Sequence, residues 1–115
     1  MLPHKHRLTR APDIRAVLRH GRPIRSRYVI IRLLPRPAGN DSRAACIVTK
    51  RVHASAVRRH KYQRLLRAAL RELLPRLPQP YDIVVTATPS MNQLTHSRPL
   101  QAALAAACQA LLRQL

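Results

Sequence analysis

His60, Lys61, Arg64, Arg67 and Arg71 fall on one side of a helix wound at ~100° per residue, and Tyr62, Leu65, Leu66, Ala69, Leu70 and Leu73 fall on the other. The first set does not cut bonds. Guanidinium and ammonium groups bind anions, arginine through a planar fork that fits phosphate. Glu72 is the one acid within Thr49–Leu74, so cations spaced about a turn apart repel one another and need an outside partner. Lys50, Arg51 and Arg59 extend the basic run at its start. The apolar set on the opposite side is the stripe of a helix buried against a core.

Groups for protein-based catalysis do not converge. The acids Asp13, Asp41, Glu72 and Asp82 stand at no motif spacing, whereas hydrolysis needs paired carboxylates or an activated nucleophile. Glycine-rich nucleotide cradles and hydrolase elbows are absent. His4 and His6 form a lone pair on a flexible terminus, short of a metal-ligand set. Cys46 and Cys108 stand in apolar surroundings and read as small buried hydrophobes rather than a disulfide or zinc ligands. No catalytic residue, protein-bound metal or tightly held cofactor is expected.

Lys and Arg number 22 against 4 Asp and Glu, a net charge of +18 with histidine neutral. Such an excess points to a polyanion, nucleic acid first and an anionic membrane surface second. No segment approaches the ~20 apolar residues of a membrane span. The N-terminus lacks the apolar core of a secretory signal, so a cytoplasmic location is expected. The 115 residues suit one domain, 1–115, that buries roughly two-thirds of its unfolded surface.

The elements that must position these residues follow in order. Ala11-Pro12-Asp13 starts a helix, Ile14, Val17 and Leu18 give it an apolar side, Arg10, Arg15 and Arg19 a basic one, and Gly21 stops it. A short strand at Pro23–Arg25 leads to a β-branched strand at Tyr28–Pro35. The loop at 35–42 is followed by a strand at Arg43–Lys50, read as its hairpin partner. The central helix ends near Pro75, and Leu77–Pro80 forbids continuation. Tyr81–Thr88 is apolar enough for a strand buried on both faces. Ser97 caps a last helix whose core stripe is Leu100, Leu104, Cys108, Leu111 and Leu115. The result is one α+β domain in the order α-β-β-β-α-β-α. A basic helix flanked by strands, with no short partner helix, suits shape recognition of folded RNA better than reading of the DNA major groove.

The chain resembles the protein component of bacterial ribonuclease P. The family's opening Leu-Pro-x-x-x-Arg-Leu is matched by Leu2-Pro3 and Arg7-Leu8, and its Gly-Arg after the first helix by Gly21-Arg22. Thr49-Lys50-Arg51 resembles its Ser/Ala-Lys-Lys. Its signature Arg-Asn-Arg-x-Lys-Arg-x-x-Arg-Glu falls on residues 59–68, where Arg59, Arg64 and Arg67 are identical while His60, Lys61, Gln63 and Ala68 depart. His60 partly replaces the hydrogen bonding of asparagine; Ala68 cannot replace that of glutamate. Family members also carry aromatics on the first helix, where this chain has Ile14 and Leu18.

The resemblance implies an α+β fold with a left-handed crossover, an exception to the usual hand. It also implies a protein subunit that assists a catalytic RNA in removing 5′ leaders from precursor tRNA, with Mg²⁺ held by the RNA. Lys50, Arg51, Arg59, His60, Lys61, Arg64, Arg67 and Arg71 are then expected to contact the RNA subunit. Ile14, Arg15, Leu18, Tyr28 and Arg32 are expected to contact the leader. The partners are the catalytic RNA and precursor tRNA, with no membrane and no DNA. The rival readings are a ribosomal-protein-like structural RNA binder and a cationic protein acting at anionic membranes.

Overall fold

A computed structural model describes residues 2–93 and 97–115, without the side chains of Ser97 and Leu100. The expected cap at Ser97 and core position at Leu100 therefore lie outside the described residues.

Helix α1 spans Ala11–His20, with Pro12 and Asp13 in its first turn. It stops where the sequence places glycine, but not through a left-handed cap: Gly21 has φ −68° and is extended. Glycine is required because a Cβ there would collide with the Val17 carbonyl oxygen. The strands are β1 Arg22–Arg25, β2 Val29–Pro35, β3 Arg43–Ile47 and β4 Tyr81–Ala87. Helix α2 spans Ala56–Leu73 and α3 spans Ser97–Gln114. Short 3₁₀ turns occupy His4–His6, Leu74–Arg76 and Pro89–Gln93.

The four-stranded sheet runs β1-β2-β4-β3. The expected hairpin between the second and third strands does not form. β2 pairs antiparallel with β1 on one side and with β4 on the other, and β3 lies beyond β4, parallel to it. The reason lies in the strand compositions. β4 is buried at all but one of its positions, which demands cover on both faces and neighbours on both edges. β3, with Ala44, Ala45 and half-exposed positions, tolerates the edge.

Strand alternation divides the core in two. Val29, Ile31, Leu33, Ile83 and Val85 face α2 and α3, where they meet Tyr62, Leu66, Leu70, Leu73, Leu104, Ala107 and Leu111. Val84, Leu34, Ala45 and Ile47 face the other way and pack with Ile14 and Val17 of α1 and with Leu8. Leu115, expected in the core stripe of α3, lies past the helix end and is 38% exposed; Ala107 is the small residue the stripe buries instead.

The N-terminal segment is ordered, contrary to a flexible terminus. Leu2 is buried, Arg7 Nε donates to the Leu2 carbonyl at 2.8 Å, and the Leu8 N–H donates to the Ala44 carbonyl at 2.9 Å. This explains the Leu-Pro-x-x-x-Arg-Leu spacing: both leucines plug core clusters and the arginine closes the turn between them. His6 is also engaged, its Nδ1 lying 2.8 Å from the Ser42 carbonyl and so carrying the proton.

The acids are not as scattered in space as in sequence. Arg43 donates to both Asp82 carboxylate oxygens, at 2.8 and 2.7 Å, and lies 3.7 Å from Asp13; Arg36 sits 3.6 Å from Asp82. The Asp82 bond is the largest cause holding the Arg43 pKa above its ordinary value. Asp82 is the buried polar residue of the core, so Asp82→Asn strips a charge partner from a part-buried guanidinium. It should lower stability by about 1–3 kcal/mol, measured by urea denaturation, with little change in RNA affinity.

Candidate nucleic-acid interface

The stretch leading into α2 is fixed by its own backbone. The Val52 N–H donates to the Thr49 carbonyl at 3.0 Å, and Val52 is buried; this closes a turn that leaves Lys50 and Arg51 exposed. Ser55 caps α2 by accepting from the Arg58 N–H, and the Ser55 N–H donates to His53 Nδ1 at 3.0 Å. Arg59 reaches back, Nη1 donating to the carbonyls of His53 and Ala54 at 3.0 and 2.8 Å. Part of its donor capacity is thus spent on holding this loop, which the spacing of the basic residues did not reveal.

Along α2 the two faces separate as the periodicity requires. Tyr62 and Leu66, 3% and 1% exposed, are buried with Leu70 and Leu73, and Leu65 and Ala69 pack partly against them. His60, Lys61, Arg64, Arg67 and Arg71 are all exposed. The first turn of α2 holds no acid. It carries Arg58 and Arg59, cations placed against the positive end of the helix dipole. Arg58 belongs to this basic surface although the apolar stripe gave no reason to single it out. Among the described residues the ion pairs are those of Arg36 and Arg43 with Asp13 and Asp82. Among the described residues no ion pair therefore neutralises the α2 face, and a bound phosphate would relieve both the mutual repulsion and the dipole mismatch.

A second basic surface lies across the sheet. Ile14 packs into the α1-side cluster, Arg15 is exposed, and Leu18 is a large hydrophobe 39% exposed. Arg32 is half-buried, pairs in register with Val84 of that same side, and has its Cβ beside Gly21. Those four expected leader residues share one side of the sheet. Tyr28 does not join them: it packs partly buried against the α2/α3-side core, with the Arg27 guanidinium 5.4 Å over its ring. Strand register adds Arg25, Ile30, Ile47 and Thr86 to the α1 side, and the Thr86 hydroxyl is buried without a hydrogen-bond partner. Alternation along β2 from Arg32 could have found Ile30; Arg25, Ile47 and Thr86 follow only from the strand register.

Both cysteines are free and half-buried. Burial pushes the Cys46 thiol up to about 11 despite the nearby Arg67, and raises that of Cys108. Cys46 is thus neutral through the physiological range, because its thiolate forms only as pH rises toward the raised value. In a Cys108→Ala background at pH 8, its alkylation by iodoacetamide should run about 100-fold slower than that of an ordinary thiol, in proportion to the lost thiolate fraction.

The family model described as Ribonuclease P matches residues 2–112. The chain is 35% identical over 94 residues to the Ribonuclease P protein component of Synechococcus elongatus, covering 79% of this chain and 77% of that one. To that of Acidothermus cellulolyticus it is 36% identical over 90 residues, covering 78% and 75%. Its fold matches the RNase P protein of Staphylococcus aureus with a TM-score of 0.82 at 19% identity, over 92% of this chain and 94% of that one. It matches the one from Thermotoga maritima at 0.72 and 23% identity, over 95% and 96%.

Proposed function

The chain belongs to the ribonuclease P protein family, and from that premise we propose that its α2 face grips the catalytic RNA while the α1 side of its sheet holds the 5′ leader of precursor tRNA. Membership implies an RNA subunit as partner. The observation that carries the division of labour is the pair of basic surfaces on opposite sides of one sheet, α2 on one and α1 with Arg15 and Arg32 on the other. One small protein so built can hold two RNA segments at once. The convergent carboxylates Asp13 and Asp82 are spent on Arg43, so phosphodiester hydrolysis is assigned to the RNA subunit and its Mg²⁺, in the cytoplasm. The protein's part is charge and position.

Precursor-tRNA cleavage by a bacterial catalytic RNA, measured at low Mg²⁺ with and without this protein, tests the reading. Cleavage should rise with protein; a structural binder of ribosomal RNA would leave it unchanged. The membrane reading has little support: among the described residues no helix is long and apolar enough to cross a bilayer, and the apolar stripe of α2 is buried in the core.

The leader assignment has its own measurement, the affinity of the assembled holoenzyme for precursor relative to mature tRNA over leaders of equal length. The gain should vary little with base identity, since phosphate contacts dominate, and should shrink in Arg15→Ala and Arg32→Ala. Equal affinity for precursor and mature tRNA would remove the leader role and leave the α2 contact standing.

A further inference from the structure

A cavity of about 510 Å³ opens at the end of the sheet where β3 and β4 begin, beside the last turn of α2. That is the size range of small-ligand sites. Three segments build it: the N-terminal segment through Leu2 and His6, the loop into β3 through Asp41 and Ser42, and the stretch from Arg71 to Pro80. Hydrogen bonds tie them together. His6 Nδ1–H donates to the Ser42 carbonyl at 2.8 Å, the Tyr81 N–H to the Ser42 hydroxyl at 3.1 Å, and the Arg36 N–H to the Pro80 carbonyl at 2.9 Å. The Arg36 guanidinium also donates to the Asp41 carbonyl. The space is therefore formed before any ligand arrives, with buried Leu2 and Leu74 as an apolar floor.

With histidine neutral, the charged groups of the lining are Arg71 and Asp41. Arg71 continues the basic face of α2, but the acid is out of place. In a chain of net charge +18, an exposed carboxylate beside a phosphate-binding face repels the backbone that the face attracts. Asp13 and Asp82 avoid this by pairing with arginines, whereas Asp41 makes no ion pair among the described residues. What Asp41 can do there is accept hydrogen bonds, since an ionised carboxylate offers two adjacent oxygens and no donor. Of the four RNA bases, guanine alone presents two neighbouring N–H donors, at N1 and N2, on its pairing edge; adenine, cytosine and uracil present one.

We propose that this cavity takes one unpaired guanine of the catalytic RNA, its ring on the apolar floor, its N1–H and N2–H donating to the Asp41 carboxylate and its phosphate against Arg71. The source is the RNA subunit because Arg71 makes the cavity continuous with the α2 face. The proposal rests on the α2 reading given above and adds a base-specific contact to a surface otherwise read as binding phosphates. The guanine has to be unpaired, since pairing would occupy the same edge.

Asp41→Asn separates this contact from charge alone. If Asp41 only repels phosphates, removing an acid from a polycation raises RNA affinity. The guanine contact gives the opposite sign, a loss of roughly 5- to 100-fold in affinity for the catalytic RNA with no tRNA present, because the amide sets a donor against a donor. Asp41 is exposed, so the melting temperature should stay where it is. A second arm scatters inosine, which lacks the N2 amino group, through the guanine positions of the catalytic RNA and sequences the molecules that the protein retains. At one position inosine should be depleted from the bound fraction with the wild-type protein and tolerated with Asp41→Asn. Undiminished affinity in Asp41→Asn overturns the guanine site, as does an inosine pattern identical for the two proteins. In either case a loss of affinity in Arg64→Ala leaves the α2 reading standing, and its absence removes both.

Discussion

Affinity for structured RNA is expected to collapse by about 10³–10⁵-fold between 50 and 200 mM salt. The estimate follows from counterion release: each neutralised phosphate adds ~0.7–0.9 to the slope of log affinity against log salt, and six to ten contacts give the quoted loss. The basic surface of α2 and its leading turn supplies that many charges, Lys50, Arg51, Arg59, Lys61, Arg64, Arg67 and Arg71, with His60 beside them, all of them exposed except half-buried Arg59. Because none of them is paired with a carboxylate among the described residues, their charge is available to RNA rather than spent inside the protein. Neutralising one contacting arginine should flatten the slope by about one unit. Arg59→Ala should do more than that, since its Nη1 also ties down the His53 and Ala54 carbonyls and the loop carrying Lys50 and Arg51 would loosen with it. Filter binding over a salt series reads both quantities. A slope near zero would remove polyphosphate contact as the main mode of binding.

The α2 surface was legible in the sequence because a helix repeats every 3.6 residues, so one periodicity assigns both what is buried and what is exposed. Tyr62, Leu66 and Arg64 lie where that count puts them. Strand pairing has no such local rule. The loop at 36–42, with Gly39 at φ +89°, looks like a hairpin connection, yet the chain passes it to leave room for β4 between β2 and β3. That vacancy is filled only some thirty residues later, by the most buried strand of the sheet. Partner choice was decided by burial across the whole sheet, which turn residues do not encode.

The same distinction explains the site. Ile14, Arg15, Leu18 and Arg32 are brought to one side by helix and strand periodicity, but Tyr28 precedes the paired part of β2 and escapes the alternation, so its side could not be counted from Val29. The Arg43–Asp82 bond and the Arg7 closure onto Leu2 join residues from different elements or across a turn. Such contacts appear only when the chain is folded.

Leu66→Ala should cost about 2–5 kcal/mol of stability, while Arg64→Ala, two positions earlier, should cost almost none. Leu66 is 1% exposed and packs in the core cluster that joins α2 to the sheet and α3, so truncation loses the transfer free energy of the removed methyl groups and leaves a cavity that a close-packed interior only partly fills. Arg64 is exposed and, among the described residues, makes no ion pair; exposed charges contribute at most about 1 kcal/mol to folding. Its removal also relieves repulsion from Lys61 and Arg67, a turn away on either side. The RNA affinities should run in the opposite sense, lowered in Arg64→Ala and unchanged in Leu66→Ala once the comparison is made at a temperature where both are folded. Urea denaturation followed by circular dichroism gives the first quantity and RNA binding at fixed salt the second. An arginine variant that unfolds beside a leucine variant that does not would mean that the two faces of α2 have been exchanged.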